Sequence, residues 1–201
     1  MITIPTSRYP ESYQKTLGRL KLLSPGRRVV LGPSLFRTFT CPDGCTACCM
    51  AFSLDFLPWE APEGARPRTV LGRTIFTIPA QPPCRFLCGG LCSLWPNPPI
   101  ECFAAPQVQI FPRQSETQIT GRIFSRWWKW PEGNRPQCQF RSEFSLEARD
   151  HLVRVLERYL EWAEYFEIPT TIPEVINAVR GVESLPASRI VIEGGDGVLE
   201  P

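Results

Sequence analysis

Apolar and polar positions change their spacing several times along this 201-residue chain. Over residues 1–40 the one candidate strand is the short apolar run Val29, Val30 and Leu31. That segment therefore reads as a tail wrapping the rest. Thr69, Val70 and Leu71 run into Gly72 and on to Thr74 through Ile78, which predicts a hairpin over residues 66–78 with its turn near Gly72. Residues 107–111 and 117–124 alternate apolar with polar, Ile119 and Ile123 recurring across Gly121, and predict a second hairpin. From residue 145 the period becomes helical. Leu152, Val155, Leu156, Tyr159, Leu160, Ala163 and Phe166 recur at spacings of three and four, one stripe of a helix over 145–166. Ser145 is its natural N-cap, and Glu147 in the first turn suits the helix dipole. Thr171-Ile172-Pro173-Glu174 has the form of a capping box, opening a short helix that ends at Gly181, and residues 188–193 suggest a last strand before a Gly194-Gly195-Asp196-Gly197 tail.

Composition changes this picture at one point. Proline occurs 22 times, and Pro79, Pro82, Pro83, Pro96, Pro98, Pro99 and Pro106 forbid regular ladders across residues 79–106. The hydrophobic fraction of 43% and charged fraction of 21% still describe a folded chain. A loop-rich chain of this length has room for only a modest core. The expectation is a small irregular α+β domain stapled by something other than regular structure. It comprises the wrapping segment 1–40, a cysteine-bearing body 41–142, and a helical segment with tail, 143–201.

Nine cysteines supply the candidate staple. The chain opens without a basic segment leading into an apolar run, and no stretch approaches the ~20 apolar residues that span a bilayer. A cytoplasmic protein without membrane partners is expected, and there clustered thiols bind metal or do redox work more often than they form disulfides. The single histidine, His151, stands in the long helix far from every cysteine in sequence. Mixed Cys/His zinc sites, histidine-based hydrolysis and a Ser–His–Asp triad thus have almost no material.

Cys41-Pro42-Asp43-Gly44-Cys45-Thr46-Ala47-Cys48-Cys49 places four thiols within nine residues. A local loop chelates at little entropic cost, and its turn residues let the thiols converge. Vicinal Cys48 and Cys49 diverge, so one of them serves a second metal or the far side of a cluster. Cys84, Cys88, Cys92 and Cys102 form a second group, followed by Cys138. Four thiolates per site suit zinc or a [4Fe–4S] cluster, and such binding contributes folding free energy directly. Buried core cysteines or a disulfide scaffold explain four thiols in nine residues less well.

The ordered series C-x3-C-x2-C-C, Cys84-Arg85-Phe86-Leu87, Cys92-Ser93-Leu94-Trp95 leading to Cys102, and the late Asn134 with Cys138 resembles the YkgJ-type cysteine-cluster proteins, described as zinc- or iron-chelating domains. The resemblance spans residues 41–140. It implies metal ligation by Cys41, Cys45, Cys48, Cys49, Cys84, Cys92, Cys102 and Cys138. Two departures stand out: Pro98 replaces an arginine usual in that family, and Cys88 is extra. Relatives of the family resemble the flagellin lysine methylases, which are associated with an iron–sulfur centre. The resemblance thus implies an iron–sulfur or zinc protein, with a modification enzyme as an alternative.

Other readings compete for the same residues. Cys41-x3-Cys45-x2-Cys48 is also the spacing of radical S-adenosylmethionine enzymes, but Ala47 stands where those carry an aromatic residue, and no strand–helix alternation follows. Trp127, Trp128 and Trp130, with Arg113, Arg122, Arg126, Arg135 and Arg141, could stack single-stranded nucleic acid, or simply cover the metal and the long helix. A zinc-stapled module for nucleic acid or protein is the corresponding third function. Asp55, Glu60, Glu63 and Glu101 read mainly as solvated acids, Glu101 being also a candidate oxygen ligand beside Cys102. The formal charge of +2 divides as +5 over residues 1–50, +4 over 51–142 and −7 over 143–201, which suggests the acidic end docking on the basic body.

Overall fold

Leu17, Leu20 and Leu23 recur every third residue and are buried, because residues Ser12–Leu22 form a helix, α1. The spacing analysis predicts no helix there. Gly18 and the polar residues of the segment weaken its local signal, and so short a helix is stable mainly through the leucines it packs on the core. The computed structural model describes residues 12–40, 53–79, 84–88, 91–94, 97–104, 107–121 and 139–193. After α1 come β1 (Arg28–Leu31), a 3-10 turn (Pro33–Phe36), β2 (Arg37–Thr40), β3 (Leu54–Phe56), β4 (Arg66–Val70) and β5 (Arg73–Ile78). Then follow β6 (Leu87–Cys88), β7 (Leu91–Cys92), α2 (Ile100–Ala104), β8 (Gln109–Arg113), β9 (Glu116–Thr120), β10 (Gln139–Phe144), α3 (Leu146–Tyr165), α4 (Ile172–Arg180) and β11 (Ile190–Ile192).

This is the mixed α+β architecture expected from the sequence, and both hairpins form. Val70 pairs with Arg73, leaving Leu71 and Gly72 as a two-residue loop with φ of 47° and 77°. Positive φ at both positions is what a turn matching the strand twist requires. β8 and β9 close around Gln114 and Ser115, with Arg113 opposite Glu116; residues 122–124 of the expected second hairpin lie outside the described residues. The strand order β11-β1-β9-β8 was not legible locally: β1 runs parallel to β9 and antiparallel to β11. β1 is thus an interior strand, not part of a wrapping tail. Within the proline-rich stretch the structure adds the two-residue strands β6 and β7 and the short helix α2.

Ser145 caps α3 as expected, its Oγ accepting from the Ala148 amide at 3.2 Å. The capping box before α4 does not form. Thr171 spends its hydroxyl on the Leu23 carbonyl at 3.2 Å, tying α4 to the end of α1, and the Ile172 amide donates to Thr170 Oγ1 at 3.3 Å instead.

One large apolar cluster joins α1, β1, β9, α3 and α4, with Trp162 and Tyr159 its largest wholly buried side chains. The sheet β3-β5-β4 has two covered faces. Ile75 and Val70 face the large cluster, whereas Leu54, Phe56 and Ile78 form a second, smaller one. Acids of the C-terminal segment pair with arginines of both earlier segments, Glu167 with Arg73 of the body and Glu193 with Arg28 of the N-terminal segment; such exposed pairs contribute little stability. Among the described residues no helix is long and apolar enough to cross a membrane.

Candidate metal centre

The second apolar cluster is the floor for two of the described cysteines. Cys84 and Cys102, eighteen positions apart in sequence, pack with Phe86 and Leu94 against Leu54, Phe56 and Ile78. Between them, the β6–β7 hairpin sets Leu87 opposite Cys92 and Cys88 opposite Leu91. Side chains alternate across a strand, so Cys92 and Cys88 leave the hairpin on opposite sides. Cys84, Cys92 and Cys102 are half-buried thiols and Cys88 is an exposed one. Cys41, Cys45, Cys48, Cys49 and Cys138 lie outside the described residues. Among the described residues no group of three or more Cys, His, Asp or Glu side chains is arranged to hold a metal ion. The donors present do fit the expected group: soft sulfur ligands on an apolar, poorly hydrated floor suit zinc or an iron–sulfur cluster.

Both thiol-bearing segments are tied down by groups other than the thiols. The Cys84 carbonyl accepts from the Leu87 amide at 3.0 Å, and the Ser93 amide donates to Phe86 O at 2.7 Å, which closes the hairpin. Arg85 donates from Nη2 to the Glu63 carbonyl and lies over the Phe86 ring at 4.9 Å. Gly64, at φ +78°, gives it room: a Cβ there would stand 3.2 Å from Arg85 Nη1. Cys102 sits in α2, where its amide and that of Phe103 both donate to Pro99 O at 2.9 Å, while Ile100 and Ala104 of the same helix enter the large core.

Two of the four acids expected at the surface are buried instead. Asp55, between Leu54 and Phe56, points to the opposite face of β3 from the thiols and accepts from Thr77 Oγ1 at 2.6 Å. Glu101 is 4% exposed; Thr16 Oγ1 donates to its Oε1 at 2.5 Å, and its Oε2 has no hydrogen-bond partner among the described residues. Burial, aided by the nearby Asp55 charge, pushes the Glu101 carboxyl up to about 7. Arg19 donates from Nη1 to Tyr159 Oη at 2.7 Å. Burial raises the Tyr159 phenol above its ordinary range and holds the Lys15 amine below its own. A polar group of Lys15, Thr16, Arg19, Asp55, Glu101 and Tyr159 is thus drawn from α1, β3, α2 and α3 into the core. Tyr159 belongs to the expected helical stripe, whereas the sequence analysis singles out none of the residues from α1; Thr16 lies on the Leu17–Leu20–Leu23 stripe, the one signal that could have found it. Glu60 is half-buried, pairing with Arg158 of α3, and only Glu63 is exposed as expected.

His151 lies ring to ring with Phe103, one residue from Cys102, and burial holds its imidazole down at about 4. Of the expected stacking platform, Trp127, Trp128, Trp130, Arg122, Arg126 and Arg135 lie outside the described residues, and Arg113 and Arg141 are exposed. No family model matches the chain, nor does any curated protein or solved structure, so the resemblance to the YkgJ-type proteins rests on the cysteine motifs themselves.

Proposed function

We propose that this chain is a metal-binding protein that holds an iron–sulfur cluster or zinc through Cys41, Cys45, Cys48, Cys49, Cys84, Cys92, Cys102 and Cys138. The observation that carries the reading is the sidedness of the second cysteine group. Cys84 and Cys102 share one apolar floor and Cys92 is half-buried, while Cys88, extra to the motif series, stands exposed on the other side of its hairpin. Thiols serving only as small apolar side chains have no reason to sort in this way, whereas ligands need one enclosed side. The dense motif over residues 41–49 supplies the remaining donors. An all-thiolate set with a vicinal pair favours a polynuclear iron–sulfur centre over a single zinc ion. A modification enzyme using such a centre is the second reading, carried by the same cysteine series.

Anaerobic purification followed by elemental analysis tests the proposal. Brown protein absorbing near ~400 nm with iron and acid-labile sulfide supports the cluster, and colourless protein with stoichiometric zinc supports the zinc form. Cys48→Ser and Cys138→Ser should each lower metal content. Metal-free wild-type protein that takes up neither zinc nor iron with sulfide refutes the reading. Retention of S-adenosylmethionine would select the enzyme.

A further inference from the structure

We infer that Glu101, through its hydrogen bond from Thr16, is the positioning residue that aims Cys102 at the metal centre; the inference rests on the metal-binding reading above. α2 has only five residues, Ile100–Ala104. A helix that short has too few internal hydrogen bonds to hold its own orientation, so its rotation is set by what its side chains grip. Successive helical residues point about 100° apart. Cys102 therefore meets Leu54, Phe56 and Ile78 only while Glu101, one position earlier, stays turned toward α1. The grip there is the 2.5 Å bond from Thr16 Oγ1, and Thr16 is itself wholly inaccessible on a helix clamped by Leu17, Leu20 and Leu23.

Burying a carboxylate is costly, and an apolar residue would serve a plain core better. Glu101 is nonetheless enclosed, with Oε2 left without a hydrogen-bond partner among the described residues. What the carboxylate supplies that an apolar side chain does not is a directional acceptor for a rigid donor. Groups that orient a metal ligand from outside the coordination sphere commonly change metal affinity about 10- to 100-fold when removed.

The experiment titrates Co(II) into metal-free full-length protein and reads thiolate-to-cobalt absorption bands alongside thermal stability. Thr16→Val keeps the side-chain shape and removes the donor; Glu101→Ala removes the acceptor. Both should weaken Co(II) binding roughly tenfold and change the band intensities. Thr16→Ser and Glu101→Gln keep donor and acceptor, and both should restore affinity to near that of the wild type. If Glu101→Ala does not fold, the Val and Ser variants at position 16 carry the comparison. Wild-type affinity and spectrum in Thr16→Val with only a lower thermal midpoint would overturn the inference, as would a Gln variant as defective as the Ala one. Cys102→Ser separates the two levels. Unchanged binding there removes Cys102 from the ligand set and overturns the inference while leaving the metal-binding reading standing; wild-type protein that takes up no Co(II) sinks that reading, and lost binding in Cys102→Ser with a normal Thr16→Val sinks the positioning role alone.

Discussion

Phe103 and His151 meet in an edge contact with ring centroids 4.8 Å apart, so the one histidine of the chain packs on the helix that carries Cys102. The imidazole is held at about 4 by burial and by the positive charge of Arg154. Its ordinary value is 6.5, so between those limits the unfolded chain binds the proton and the folded one does not. Stability from this group is complete above pH 6.5 and lost as pH falls toward 4. His151→Phe should remove this slope: the stability difference between wild type and variant should shift by about 3 kcal/mol between pH 7 and pH 4. Denaturant titrations at the two pH values measure it, and a pH-independent difference refutes the assignment.

Metal removal should act locally. Among the described residues the large cluster around Trp162, Tyr159 and Leu152 contains no cysteine, and Cys84 and Cys102 stand on the separate Leu54–Phe56–Ile78 floor. Chelation under reducing conditions is expected to leave amide protection over residues 152–163 intact while protection over 84–94 falls, as measured by hydrogen exchange. Global loss of protection would show that the bound metal organises the whole chain, as a structural zinc does in a zinc finger.

The two cysteines of the β6–β7 hairpin should behave differently. Cys92→Ser is expected to lower metal content, and Cys88→Ser to leave it near wild type, because the two side chains leave the hairpin on opposite sides. Alkylation of native, metal-loaded protein followed by peptide mapping should label Cys88 first. Equal metal losses from both substitutions would end the distinction.

At the tip of the first hairpin Leu71 is 68% exposed and adopts φ 47°, a conformation bulky side chains avoid. Asparagine tolerates that region and is favoured before glycine in such turns. Leu71→Asn should therefore raise stability by about 0.5–1 kcal/mol in denaturant titrations, and a loss of stability would mean that the leucine makes contacts the fold needs.

Much of the architecture is written locally. The spacing of Leu152, Val155, Leu156, Tyr159 and Ala163 specifies α3, Ser145 begins it, and the alternation around Leu71-Gly72 specifies the first hairpin, because these signals depend on periods of two or 3.6 residues and on turn chemistry. The cysteine series is equally legible, since ligand type and spacing are properties of the sequence. What only the tertiary structure decided are relations between residues far apart in the chain. Nothing near Glu101 announces that it is buried, because its enclosure depends on Thr16, 85 positions earlier, and on Asp55. Thr171 has the sequence of a cap, yet the Leu23 carbonyl, 148 positions away, captures its hydroxyl. The parallel pairing of β1 with β9 joins residues 88 positions apart, Arg28 with Glu116. Local pattern sets what each segment is; desolvation and competition among distant hydrogen-bonding groups set which polar side chains are drawn inside, and those are energies of the assembled chain.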